Sequence, residues 1–181
     1  MTAIVAAEVL WKFATAAGAA GNAGVGAALT SLGKYISTSA WAGGVANDLF
    51  DNITGAENAA SQVDYRCLFI HNNNANNPYE NVTLWLSAEV AGGAAIAIGV
   101  DTTVASAIAS AAAQALTVAS VTSAPVGVVF TSPTTFGTGI VLGTIPVGQC
   151  RAIWVKRTAA NTVALSGDGV TFSIQGDTGS L

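Results

Sequence analysis

Along residues 82–89 the chain alternates without a break. Val82, Leu84, Leu86 and Ala88 fall on one side, and Thr83, Trp85, Ser87 and Glu89 on the other. A period of two marks a strand with one buried face, because successive side chains of extended backbone point to opposite sides. Val170, Phe172 and Ile174 alternate with Thr171, Ser173 and Gln175 in the same way. Short runs rich in β-branched and aromatic residues, bounded by Gly, Pro, Asn or Asp, predict strands at residues 64–71, 82–90, 95–101, 115–119, 127–131, 139–142, 149–157 and 170–175. Turn residues separate them, as in Asn72-Asn73-Asn74 through Pro78, Ile145-Pro146-Val147-Gly148 and Gly167-Asp168-Gly169. This pattern predicts a mainly β fold, an antiparallel β-sandwich of jelly-roll-like form. The Ala-rich residues 104–115 fit either a helix or a loop excursion.

The first sixty residues read differently. Ile4, Val5, Val9, Leu10, Trp11 and Phe13 are apolar with mixed spacing, which fits a short helix or an extended strand. Residues 16–33 are mostly Ala and Gly, with too little bulk for a core and too much Gly for a helix. Residues 47–51 read as a turn or a capped helical turn. The expected division is an extended, partly helical N-terminal arm and linker over residues 1–60 and a β-sandwich domain over residues 61–181. Trp is favoured at interfaces because it buries a large area at low entropic cost. Ile4, Val5, Val9, Leu10, Trp11, Phe13 and Trp41 are therefore the candidate subunit-contact residues. If they form a docking arm, deleting residues 2–41 leaves a folded β domain.

Charge narrows the function classes. Only 9% of the 181 residues are charged, against 51% hydrophobic, and His71 is the single histidine. Catalysis by proton transfer or nucleophile activation needs clustered titratable groups, and this inventory offers few. An enzyme is not expected, and neither is a cofactor. A net charge of −4 argues against a duplex nucleic-acid partner, which would need clustered Lys and Arg. Residues 13–33 are uncharged but rich in Gly, Thr, Ser and Asn, and residues 90–100 are apolar but too short to span and lie between Glu89 and Asp101, so no membrane partner is expected. The N-terminus lacks the basic start of an export signal, with Glu8 and Lys12 interrupting the first apolar run. Soluble chains normally cover themselves with charge. One that does not is expected to be covered by other protein.

The remaining motifs are weak. His71 ends a strand beside Asn72, Asn73 and Asn74 and reads as a structural or loop histidine. Asp48, Asp51 and Glu57 match no Ca²⁺-loop spacing. Cys67 and Cys150 lack the neighbours of a metal site and read as buried free thiols, with a disulfide between neighbouring strands as the alternative. Asn72 to Asn77 with Tyr79 reads as a polar turn, the alternative being a sugar-binding loop.

Two stretches carry a resemblance. Residues 47–57 (NDLFDNITGAE) with 64–72 (DYRCLFIHN), and 145–157 (IPVGQCRAIWVKR) with Asp168-Gly169-Val170, resemble small Ala/Gly-rich virion structural proteins of tailed bacteriophages. Among these, head decoration (cement) proteins are the closest functional match. The resemblance implies a small sandwich with an arm, bound to the major capsid protein on the virion surface and assembled in the bacterial cytoplasm. It also implies a homo-oligomer, a trimer before a dimer. A tail, baseplate or fibre component involved in host attachment is the alternative. The resemblance implies no catalytic residues.

Overall fold

The computed structural model describes residues 3–17 and 24–179. Within them, nine strands form two antiparallel sheets: β1 Val9–Thr15, β2 Tyr35–Ala40, β3 Val63–Asn72, β4 Tyr79–Glu89, β5 Ala95–Val100, β6 Ser106–Ala107, β7 Ile140–Ile145, β8 Gln149–Thr158 and β9 Val170–Thr178. The larger sheet runs β2-β1-β3-β8-β5, with β6 pairing to the start of β8, and the smaller runs β7-β4-β9. The chain is a β-sandwich, as its alternation predicts.

Alternation decides what each sheet buries. From the large sheet, Leu68, Ile70, Ile153 and Val155 meet Val82, Leu84, Leu86, Leu142 and Ile145 of the small one. The opposite face of the large sheet is apolar too. Cys67, Phe69, Cys150, Ala152 and Trp154 pack with Ala14, Ile36, Ala115 and Val118 in a second core. Strands buried on both faces lose their alternation, which is why Cys67-Leu68-Phe69-Ile70 and Ala152-Ile153-Trp154-Val155 read as continuous apolar runs.

The cover of this second core is a long connection, residues 101–139, with almost no regular structure. Here the structure corrects the sequence reading. Residues 115–119 and 127–131 are not strands: Thr117 and Thr131 make only isolated bridges, to Gly33 and Ile98. Ala115, Leu116, Val118, Val128 and Phe130 face the second core, and the backbone bonds to an irregular neighbour, Lys34 N to Leu116 O at 3.1 Å and Val118 N to Leu32 O at 3.1 Å. Gly33 has φ of 92°, and a Cβ there would lie 1.8 Å from Leu116 O, so only glycine fits. Residues 104–115 form a loop with the short strand β6, and no helix. Two buried polar side chains tie this cover down. Asp101 accepts from Trp154 Nε1 at 2.7 Å, Thr103 N at 2.7 Å and Leu116 N at 2.9 Å. Gln114 accepts from Ile36 N at 2.9 Å and donates to Ala107 O at 2.8 Å.

The N-terminal segment also departs from expectation. β1 pairs with β3 from Val9↔Asn72 to Phe13↔Leu68, and β2 pairs with β1, so residues expected in an arm are strands of the large sheet. Among its described residues the helical content is slight: two 3₁₀ turns, Ala6–Glu8 and Ala28–Thr30, before the five-residue helix α1, Gly55–Ala59. The physical reason lies in β3, whose edge would otherwise leave a row of unpaired backbone groups beside an apolar face. Helix α1 begins at a capping box: Thr54 Oγ1 accepts from Glu57 N at 3.3 Å, and Glu57 Oε2 accepts from Thr54 N at 2.7 Å.

Both cysteines are free and buried. On the paired strands β3 and β8, Cys67 opposes Trp154 while Cys150 opposes His71. A register offset of four residues is about 13 Å of strand, beyond the reach of a disulfide.

Candidate interaction surface

Along β1, Val9, Trp11 and Phe13 point into the sandwich, where β9 forms the edge of the small sheet. Trp11 meets Trp41 with ring centroids 5.5 Å apart and Phe172 of β9 at 5.9 Å, and Trp41 meets Phe172 at 5.5 Å. Trp41 N donates to Trp11 O at 2.8 Å, fixing the chain after β2 against β1. These edge-to-face rings close one side of the sandwich.

Two grooves flank them. The larger, about 1170 Å³, runs between residues 41–55 and residues 160–172. The smaller, about 360 Å³, is lined by Ile4, Val5, Val9, Trp11, Tyr79 and Ile174 among others. Trp11 lines both, so the grooves form one band across the side of the molecule. Of the seven candidate residues, the structure brings Ile4, Val5, Val9, Trp11 and Trp41 onto this band. Phe13 packs against the main core, and Leu10, half-buried, alternates onto the other face of β1. Both N-terminal tryptophans thus fold back on their own domain while still lining a groove.

The wall of the large groove is held by a charged cluster. Arg157 of β8 reaches Asp64 Oδ2 at 2.6 Å and Asp51 Oδ1 at 3.3 Å, and donates to the Asp51 carbonyl. Its guanidinium lies 4.7 Å from the centre of the Phe50 ring, with Arg66 at 5.4 Å from the same ring. Burial is the main influence lowering the Arg66 pKa. Gln62 Nε2 adds a bond to Asp64 Oδ1 at 2.9 Å. Residues from the stretches 47–57, 64–72 and 145–157 therefore meet in this cluster. Sequence reasoning had missed it; the only signal was Asp and Arg in otherwise apolar strands.

The other sequence candidates have structural roles. Asp51 binds Arg157, and Glu57 caps α1. Among the described residues no group of three or more His, Cys, Asp or Glu could hold a metal ion. The Asn72–Asn77 loop is a self-bonded turn: Asn72 Nδ2 donates to Asn77 O and Ile145 O, and Asn74 Oδ1 accepts from Asn76 N and Asn77 N. Asn72, Asn74, Asn77 and Tyr79 are all buried.

His71 and Cys150 sit opposite one another on β3 and β8, a pairing the sequence reading did not foresee. Both are buried, and burial pushes the Cys150 thiol up to about 12, so it is not a thiolate at neutral pH. His71 Nδ1 has no hydrogen-bond partner, and burial, with Lys12 nearby, lowers its pKa below the ordinary 6.5. Well above pH 6.5 the imidazole is neutral whether the chain is folded or not. As pH falls below that, the unfolded chain takes up a proton that the folded one resists, so stability is lost until the folded pKa is passed. Between pH 6.5 and 5 the melting temperature is expected to drop in the native protein and to drop less in His71→Gln. Equal slopes in thermal melts would show that His71 does not carry the effect.

The surface has little free charge. None of the six Lys and Arg residues is exposed, and the exposed acids are Asp51, Glu89, Asp168 and Asp177. Each of these four is bonded within the chain, to Arg157, Ile96 N, Ala94 N and Asn81 respectively. Large apolar side chains stand out instead, among them Val45, Val126, Val129, Val141 and Val163. No helix among the described residues is long and apolar enough to cross a membrane. In comparisons with protein-family models, curated proteins and solved structures, the chain matches none.

Proposed function

We propose that this chain is a structural protein of a bacteriophage virion that binds the outside of the capsid and stabilises contacts between major capsid subunits. The observation that carries the reading is the surface: no exposed cation, four internally bonded acids, and exposed valine, leucine and phenylalanine spread across the molecule. Such a surface is poor at keeping a free monomer in solution and well suited to being covered by protein. The resemblance of residues 47–57, 64–72 and 145–157 to virion proteins points the same way.

In this reading the sandwich acts as a rigid bridge. Each copy adds modest buried area across a seam between capsid subunits, and many copies multiply a weak per-site affinity. A trimer at three-fold positions is the proposed assembly, with a dimer at two-folds as the second choice. Co-sedimentation with undecorated heads of its own phage tests the reading. Saturable binding at a fixed ratio to the shell protein is expected. A protein that leaves the heads bare and is found on the tail or fibres of intact particles would place it in host attachment instead.

A further inference from the structure

We infer that the groove between residues 41–55 and 160–172 receives an extended segment of the capsid shell protein that carries a lysine or arginine among apolar side chains. The inference rests on the decoration reading and names where, and by what chemistry, the shell is held. The groove is apolar on its floor and rim: Trp41 and Phe172 below, with Val45, Val163 and Leu165 at 70%, 92% and 44% exposure above. It is also acidic. Asp48, Asp51 and Asp168 line it, and its one cation among the described residues, Arg157, is already bonded to Asp64 and Asp51.

Two polar atoms of the wall lack partners. Trp41 Nε1 and Asp48 Oδ2 are buried and bonded to nothing in the chain. Both side chains approach one point beside Gly43, where an added Cβ would lie 3.9 Å from Asp48 Oδ2 and 3.9 Å from Trp41 Cζ2. An indole donor and a carboxylate acceptor in one wall match a peptide carbonyl and a cationic side chain. Both atoms are buried, so the chain around Gly43 must shift to admit those groups.

The same features choose among occupants. A second copy of this chain has little cation to offer, since its lysines and arginines are all half-buried or buried. A saccharide would need a free ring face to stack on, and Trp11, Trp41 and Phe172 on the floor are engaged in contacts with one another. A foreign segment with a cation and aliphatic side chains satisfies both the charge and the apolar rim.

Binding of the full-length protein to undecorated heads, measured by co-sedimentation at several salt concentrations, tests this. Val163→Glu is expected to weaken binding at least tenfold with an unchanged melting temperature, since Val163 is 92% exposed. Asp168→Asn is expected to weaken it several-fold and flatten its salt dependence. Val126→Glu, 85% exposed and outside the groove, should bind as the native protein does. If native protein and Val163→Glu bind alike, or Val126→Glu is as weak as Val163→Glu, the groove is not the contact while the decoration reading stands. A dimer in sedimentation velocity that Val163→Glu disrupts, or protection of Trp41 fluorescence by host lipopolysaccharide, would put another occupant there and overturn the inference. Native protein that ignores the heads overturns both readings.

Discussion

Trp154→Ala is expected to cost about 4 kcal/mol or more in urea unfolding, the upper range for emptying an aromatic site in a packed core. Trp154 is fully buried on the outer face of the large sheet, against Phe69 and the loop residues Leu116 and Val128. Its indole N–H is one of three donors to Asp101, so truncation also leaves a buried carboxylate oxygen with Leu116 N alone. Trp154→Phe keeps most of the volume and removes only the donor, and should cost about 1–3 kcal/mol. Domains of this size are stable by about 5–15 kcal/mol, so the alanine variant sits near the limit of folding. A loss below about 1 kcal/mol would mean that residues 101–139 do not form a core with the sheet.

Deleting residues 2–41 is expected to abolish the cooperative thermal transition. The deletion removes β1 and β2, strips the edge of β3 over five paired positions, and takes away Ala14 and Ile36 from one core and Trp11 and Trp41 from the other. This reverses what a docking arm would predict. Circular dichroism and amide dispersion of residues 42–181 would decide it: a sharp melt with dispersed signals would show that the first two strands are dispensable.

The difference between arm and strand explains what could be read in advance. β4 and β9 were legible because each has one face in the core and one outside, so their side chains alternate. β3 and β8, buried on both faces, were legible by apolar runs bounded by turns. β1 was ambiguous because Leu10 and Lys12 alternate with Val9, Trp11 and Phe13, and the second core accepts apolar residues on that other face. β2, Tyr35-Ile36-Ser37-Thr38-Ser39-Ala40, was not expected as a strand, since only Ile36 and Ser37 are buried and the segment follows a Gly-rich run. Residues 115–119 misled for the opposite reason: Ala115 and Val118 are apolar because they cover Trp154, without a ladder to join. At the candidate surface, composition marked the tryptophans but not their partner. Phe172 lies more than a hundred residues away, and only the register of β9 against β4, with Phe172 opposite Leu86, brings it to Trp41.

The proposed role requires this protein to bind the outside of a capsid shell. Cryo-EM of undecorated heads mixed with the purified protein addresses that directly. The account predicts ordered density on the outer surface of the shell, bridging neighbouring capsid subunits, with the Trp41–Phe172 side of the sandwich turned toward the shell. Bare shells, with the same protein located on the tail or fibres of complete virions, would contradict it.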